Sequence, residues 1–254
     1  MVNFKRILFV LFVVNFLQLS AQEPPRLFLS IDFGTRGLDS ELNDSWPIRQ
    51  DVGYSSSNAN RTVNLDSEMS FLGVSAEYAL NNRWSLISGL RFITLESSAI
   101  KNDYDRGGSF YLRLKSDGPT VEYTRIKSIK EQSAFLGIPL EVKFSPFNFK
   151  YISLYAKLSG EFAYSIYNST DIEFKLLEME RFEKSVLNDL NLKYNPFYTS
   201  VYATFGARVK LGKSMYTSID VFTPSFTMSQ NNSRLLNVTD VAGTQISLIF
   251  PLNK

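Results

Sequence analysis

Cysteine and histidine are both absent from the 254 residues. Without cysteine there is no disulfide, no thiolate metal site and no acylated cysteine behind an export signal. Without histidine the usual general base and the commonest transition-metal ligand are missing. An enzyme built from this chain would need carboxylate or lysine chemistry. The chain is therefore expected to be non-enzymatic, with no catalytic residue, no cofactor and no metal site. Neither sign of charge dominates, since Lys+Arg number 27 and Asp+Glu 25, so no basic face points to nucleic acid. Past the N-terminal segment no apolar run approaches the ~20 residues of a transmembrane helix. That does not exclude a membrane barrel, whose strands dilute each apolar run with alternate polar residues.

Residues 1–21 have the layout of an export signal. Lys5 and Arg6 give a positive start, Ile7 to Leu19 an apolar stretch, and Leu19-Ser20-Ala21 a small-residue cleavage site. Gln22-Glu23-Pro24-Pro25 breaks the pattern, so the mature chain is expected to begin near Gln22 and to form one domain over 22–254.

What the chain has in quantity is aromatic residues, with Phe 21 and Tyr 13, and alternation. The stretch Ala134–Phe149 is the clearest case. Leu136, Ile138, Leu140, Val142 and Phe144 fall on one face; Gly137, Pro139, Glu141 and Lys143 fall on the other. A period of two marks a β-strand with one apolar and one polar face. Strands of this kind are predicted at about 26–36, 69–80, 83–95, 134–149, 150–165, 197–211, 214–226 and 242–252. Pro139 lacks an N–H for the ladder, which predicts a local bulge.

Between these strands the connections alternate between long and short. Asn81-Asn82, Ser145–Asn148 and Gly212-Lys213 mark tight turns. The long connections, about 37–67, 96–131 and 166–196, together with SQNNSRLLNVTD after the seventh strand, read as polar loops. Asp103–Gly108 lacks the ordered ligand spacing of a Ca²⁺ loop. Within 166–196, Phe174, Leu177, Met179, Phe182, Val186 and Leu190 recur near helical spacing, which predicts a short helix on the rim or a helix that meets a partner.

Eight strands with short turns at one end and long loops at the other predict an all-β fold. Its form is an eight-stranded, antiparallel, up-and-down transmembrane β-barrel of the smallest outer-membrane size, with long extracellular loops. Trp84, Phe144, Phe147, Phe149 and Tyr151 toward the turns, and Phe92, Phe135, Tyr164, Tyr167, Phe197 and Tyr198 toward the loops, would form two interfacial girdles. The rival is a secreted eight-stranded ligand carrier of the lipocalin kind, with the apolar face inward. Alternation alone does not say which face is outside. The loop asymmetry, the absent cysteine and the missing Gly-x-Trp on the first strand favour the membrane.

With the apolar face on lipid, the lumen would hold Asp32, Glu77, Glu141, Glu161 and Asp220 with Arg91, Lys143, Lys157, Arg208 and Lys210. Equal numbers of opposite charges in so narrow a barrel should pair and plug it.

The run Phe135-Leu136-Gly137-Ile138-Pro139-Leu140-Glu141-Val142-Lys143 resembles the outer-membrane β-barrel domain family that includes PorT-like proteins. Ile138, Pro139 and Leu140 carry the resemblance, together with the signal ending Leu-Ser-Ala-Gln. It implies a barrel filling the mature chain, and an accessory role in type IX secretion. The residues themselves lead to a structural or interaction protein whose loops meet a surface partner, with a small pore as the further alternative. The expected partners are outer-membrane lipid or lipopolysaccharide and a protein at the loops, with no nucleic acid and a monomeric state.

Overall fold

The computed structural model describes residues 26–42, 48–51, 63–101, 109–114, 122–190, 194–212, 215–227 and 233–252. The export signal, Ser57, Asp103–Gly108 and Lys213 lie outside them. Eight strands make the barrel: β1 (Arg26–Leu42), β2 (Val63–Ala79), β3 (Trp84–Lys101), β4 (Glu122–Asn148), β5 (Ile152–Phe174), β6 (Phe197–Lys210), β7 (Tyr216–Phe222) and β8 (Leu236–Pro251). Each pairs antiparallel with its neighbours in chain order. β1 closes the ring on β8, from Phe28 opposite Pro251 to Leu42 opposite Leu236. A closed ring leaves no edge, so every strand has partners on both sides.

Three short turns lie at one end. At the first, Asn81 Oδ1 accepts from the N–H groups of Arg83 and Trp84 at 2.8 and 2.9 Å. That side chain stands in for backbone and fixes the turn. The long connections lie at the other end, and much of what reads as loop in the sequence is strand. β4 runs for 27 residues, against about ten needed to cross a bilayer. β2 begins at Val63, β3 continues to Lys101 and β5 to Phe174. A short strand Ser109–Leu114 pairs with the start of β4, and Ile48–Asp51 pairs with that strand in turn. After β5 come a 3₁₀ turn, Leu177–Phe182, and α1, Glu183–Leu190.

Pro139 sits in register rather than in a bulge. It stands opposite Glu161 of β5, and the count between β3 and β4 is the same before and after it, Ser88 opposite Leu140 and Arg91 opposite Gly137. The missing donor is accommodated by omitting the pairs between. At that level Gly89 leans against β2, where an added Cβ would stand 2.1 Å from the Val74 carbonyl oxygen. The register shifts between β4 and β5 lie elsewhere, at Ile126/Ser128, Ala134/Phe135 and Phe144/Phe147, the second of them through the extra residue Ile166 on β5.

The barrel changes polarity along its length. Over the half nearer the short turns, all eight strands turn apolar side chains outward, among them Leu90 at 58% exposure, Leu158 at 61% and Phe205 at 62%. Most inward positions there are polar or charged, with Ile249 and Ala163 among the buried apolar exceptions. Toward the long connections the arrangement inverts. Val63, Ala99, Phe110, Leu112, Ile126, Ile129, Ile172, Phe174, Leu235 and Leu236 form a buried apolar core inside. Glu68, Glu96, Lys127, Lys130, Asp171 and Glu173 face out. Met179, Val186 and Leu187 of the helical segment pack on this core. The first section therefore suits hydrocarbon around it, and the second suits water.

Candidate functional site: the charged lumen and its apolar cap

In the lipid-facing section, strand parity delivers the charges to the interior. Glu77 of β2 accepts from Lys143 of β4 and Arg208 of β6 in close contacts at the short-turn end. One step further in, Lys157 Nζ donates to Glu141 at 3.0 Å and Asp220 at 3.1 Å. Arg91 Nη1 donates to Glu161 Oε1 at 3.0 Å and Tyr202 Oη at 3.1 Å, and Nη2 reaches Glu141 at 3.5 Å and Gln245 at 3.4 Å. Asp32 accepts from Ser75 Oγ at 2.6 Å. Nine of the ten charges predicted for the lumen are thus inside it.

Lys210 is not. It is the last residue of β6, has the inward parity, and stands at the rim where water reaches it, so it is exposed. Two residues that the sequence reading missed belong to the network instead. Arg36 donates to Asp240 at 2.7 Å and Glu161 at 3.4 Å, with all three side chains buried. Arg36 follows Asp32 on the same parity and was legible there. Asp240 was not, because a register shift at Gly37/Leu38 opposite β8 resets its phase. This network therefore holds six carboxylates and five cations, not equal sets.

Above the charges lies an aromatic layer of Phe71, Phe135, Tyr198, Tyr202 and Phe222 with Met69, Ile93 and Leu95. Arg36 stacks over the Tyr202 ring at 3.9 Å and Arg91 over Phe71 at 4.3 Å. The guanidinium faces thus meet apolar rings while their edges serve carboxylates. Phe135 and Tyr198, predicted for the outer girdle, point into this layer with their rings 6.1 Å apart. Phe135 shares the odd parity of Gly137, Pro139 and Glu141, so the alternation of β4 itself turns it inward. On the outside, Trp84 and Phe144 pair at 4.6 Å near the turns, and Tyr164 and Phe197 at 5.2 Å at the opposite border of the apolar belt.

The cap is tied down by Glu131, which sequence reading placed in a loop. Its buried carboxylate accepts from Ser233 Oγ at 2.6 Å, from the N–H groups of Arg234 and Leu235 at 2.8 and 2.9 Å, and from Asn168 Nδ2 at 2.9 Å. Ser233 Oγ accepts in turn from Leu235 and Leu236 N–H at 3.2 and 3.1 Å. This sews the segment before β8 over the apolar core. Outside the lipid-facing section, Lys127 Nζ donates to the exposed Glu173 at 2.8 Å, which raises the ammonium pKa and lowers that of the carboxyl.

No family model and no curated protein matches the chain. Among solved structures it is similar to the outer membrane protein OprG from Pseudomonas aeruginosa, at 10% identity over 92% of this chain and 99% of that one, with a TM-score of 0.48. It is also similar to Ail, the attachment invasion locus protein of Yersinia pestis, solved with a heparin analogue, at 12% identity, 90% and 99% coverage and a TM-score of 0.39. The translocator domain of the autotransporter NalP from Neisseria meningitidis gives 8% identity, 97% and 95% coverage and a TM-score of 0.31. At such scores the closed eight-strand ring itself carries the fold. The PorT-type resemblance rests on the Ile138-Pro139-Leu140 motif alone.

Proposed function

We propose that this chain is exported behind a cleaved signal and lives in an outer membrane as a closed barrel. It displays a rigid, apolar-cored extension to the cell exterior, as a platform for a protein or for lipopolysaccharide. One observation carries the reading: the inside-out polarity of the short-turn half becomes the ordinary polarity of a soluble protein beyond it. A chain living wholly in water would have no reason to expose an apolar belt on all eight strands. The charged lumen, the aromatic layer and the latched cap together favour a plugged interior over a pore.

Single cysteines test the topology against the cysteine-free background. An impermeant thiol reagent on intact cells should label Ser185→Cys in α1 and leave Asn82→Cys in the first short turn unlabelled. Reversed labelling would invert the barrel, and recovery as a detergent-free soluble protein would end the membrane reading. A role as part of a secretion machine would instead appear as stable partners co-purifying from solubilised membranes.

A further inference from the structure

The two borders of the apolar belt carry charge of opposite sign. Beyond the long-connection border, Asp39, Asp66, Glu68, Glu96 and Asp171 are exposed and outnumber Lys130, while Lys127 is paired with Glu173. At the short-turn border the stretches 80–84, 145–152 and 209–216 contain no Asp or Glu. Arg83 and Lys150 are exposed there, and Lys210 stands exposed at the mouth. Glu77, just inside, is buried and already bonded to Lys143 and Arg208. Hydrogen bonds tie the turns into one arc of rim. Ser145 N–H donates to the Arg83 carbonyl oxygen at 2.7 Å, and Asn148 Nδ2 donates to that of Asn82 at 2.7 Å. Lys210 N–H donates to the Tyr151 carbonyl oxygen at 2.9 Å. Phe147, Phe149 and Tyr151 are exposed on the same arc, with Lys150 Nζ 5.3 Å from the Tyr151 ring centroid. Leu86 opposite Val142, and Leu154 opposite Phe147, continue the exposed apolar surface into the belt.

We propose that this arc is a docking surface for the headgroup of an anionic phospholipid in the leaflet at the short-turn end. The inference rests on the belt facing lipid, and is independent of what the exterior platform binds. Arg83 and Lys150 offer charged N–H donors to a phosphodiester, and Lys210 adds to the positive field. Exposed rings beside them suit headgroup depth, where an amphipathic ring has one end apolar and the other wet. The apolar positions further in would take the acyl chains. A soluble phosphate would leave those rings and that surface unused, so the occupant is a lipid. Its class follows from the missing carboxylates. An ethanolamine headgroup brings an ammonium, and these turns have no acid to receive it. A headgroup whose only charge is its phosphate, such as phosphatidylglycerol, fits the sign of the whole arc.

The test titrates the detergent-purified mature barrel with phosphatidylglycerol or phosphatidylethanolamine and counts bound lipids by native mass spectrometry. Wild type should prefer phosphatidylglycerol by about tenfold, from two exposed cations near an anionic headgroup. Arg83→Gln with Lys150→Gln should remove that preference, whereas Lys184→Gln on the exterior helix should keep it. Excess glycerol phosphate should not displace the lipid. Equal binding of the two lipids by wild type would overturn the site, as would an unchanged preference in the double variant or displacement by glycerol phosphate. Retention on isolated peptidoglycan, lost in the same variant and without a lipid preference, would instead assign the rim to a cell-wall ligand. Should the double variant fail to fold, salt decides on wild type: the preference should shrink as salt rises, and a salt-independent one would refute the charge pairing. Insertion into phosphatidylethanolamine vesicles, read by the heat-modifiable gel shift, separates the two claims. A barrel that inserts without lipid preference sinks the site alone; one that never inserts sinks the membrane reading with it.

Discussion

Arg91 of β3 and Glu161 of β5 meet inside the barrel at 3.0 Å, with β4 between their strands and almost no exposure of either side chain. A pair so placed does more to fix the interior than any exposed ion pair, because neither partner has water to fall back on.

Removing one member should therefore be costly. Arg91→Ala leaves Glu161 and Glu141 short of a partner and is expected to destabilise the barrel by about 3–5 kcal/mol. Arg91→Met combined with Glu161→Gln should cost less than the sum of the single changes. Urea unfolding in lipid vesicles, run as a double-mutant cycle, measures both. Additive losses would show that the two groups do not interact.

Polarity inversion predicts opposite responses to the same kind of substitution. Leu158→Arg, on the lipid face, should cost about 2–4 kcal/mol near the bilayer midplane and impair insertion. Leu112→Arg, in the cap core, should unfold the extension while leaving the heat-modifiable gel shift of the membrane barrel. An exposed change such as Lys130→Leu should do neither. If Leu158→Arg inserted and melted like wild type, the belt would not face lipid.

The Glu131 latch should be separable from the barrel beneath it. Glu131→Gln keeps the shape but loses the charge that four donors share, at about 1.5–3 kcal/mol per charge-assisted bond. Trypsin should then cut after Arg234 in folded protein, where wild type resists. Equal resistance in both would show that the carboxylate does not hold the segment.

The exposed Lys127–Glu173 pair makes a contrasting pH prediction. The lowered Glu173 pKa means its contribution is present at neutral pH and lost as pH falls through the carboxylate range. The raised Lys127 pKa means its part is lost only as pH rises through the lysine range. Lys127→Ala should accordingly leave the pH dependence of melting between 6 and 8 (roughly the window where neither titrates) unchanged. A pH-dependent difference inside that window would contradict the pairing.

The residues of β2 show how far the fold could be read from sequence, and where reading stopped. From Leu72 to Tyr78 the even positions are apolar and the odd ones are glycine, serine and glutamate, so a lipid-facing strand is plain. From Val63 to Phe71 the odd positions carry the apolar side chains and the even ones are Asn64, Asp66, Glu68 and Ser70. The period of two never breaks; only its phase flips, because the surroundings change from hydrocarbon to water. A reading that follows one apolar face sees the strand end at the flip and takes the rest for a polar loop. Asp240 is hidden by the extra residue that β8 carries opposite Gly37/Leu38, whereas Glu131 keeps the inward parity of Glu141 and is hidden because its stretch reads as polar loop. The central charges were legible because parity alone places them, whereas Lys210 obeys parity but lies too near the rim to be enclosed.

The most direct test of the closed barrel is electrical. Purified protein reconstituted in a planar bilayer at high salt should show no steady conductance above the bare membrane, because paired charges, the aromatic layer and the latched cap fill the lumen in series. Large, stable, ohmic steps from the wild-type protein would contradict the account.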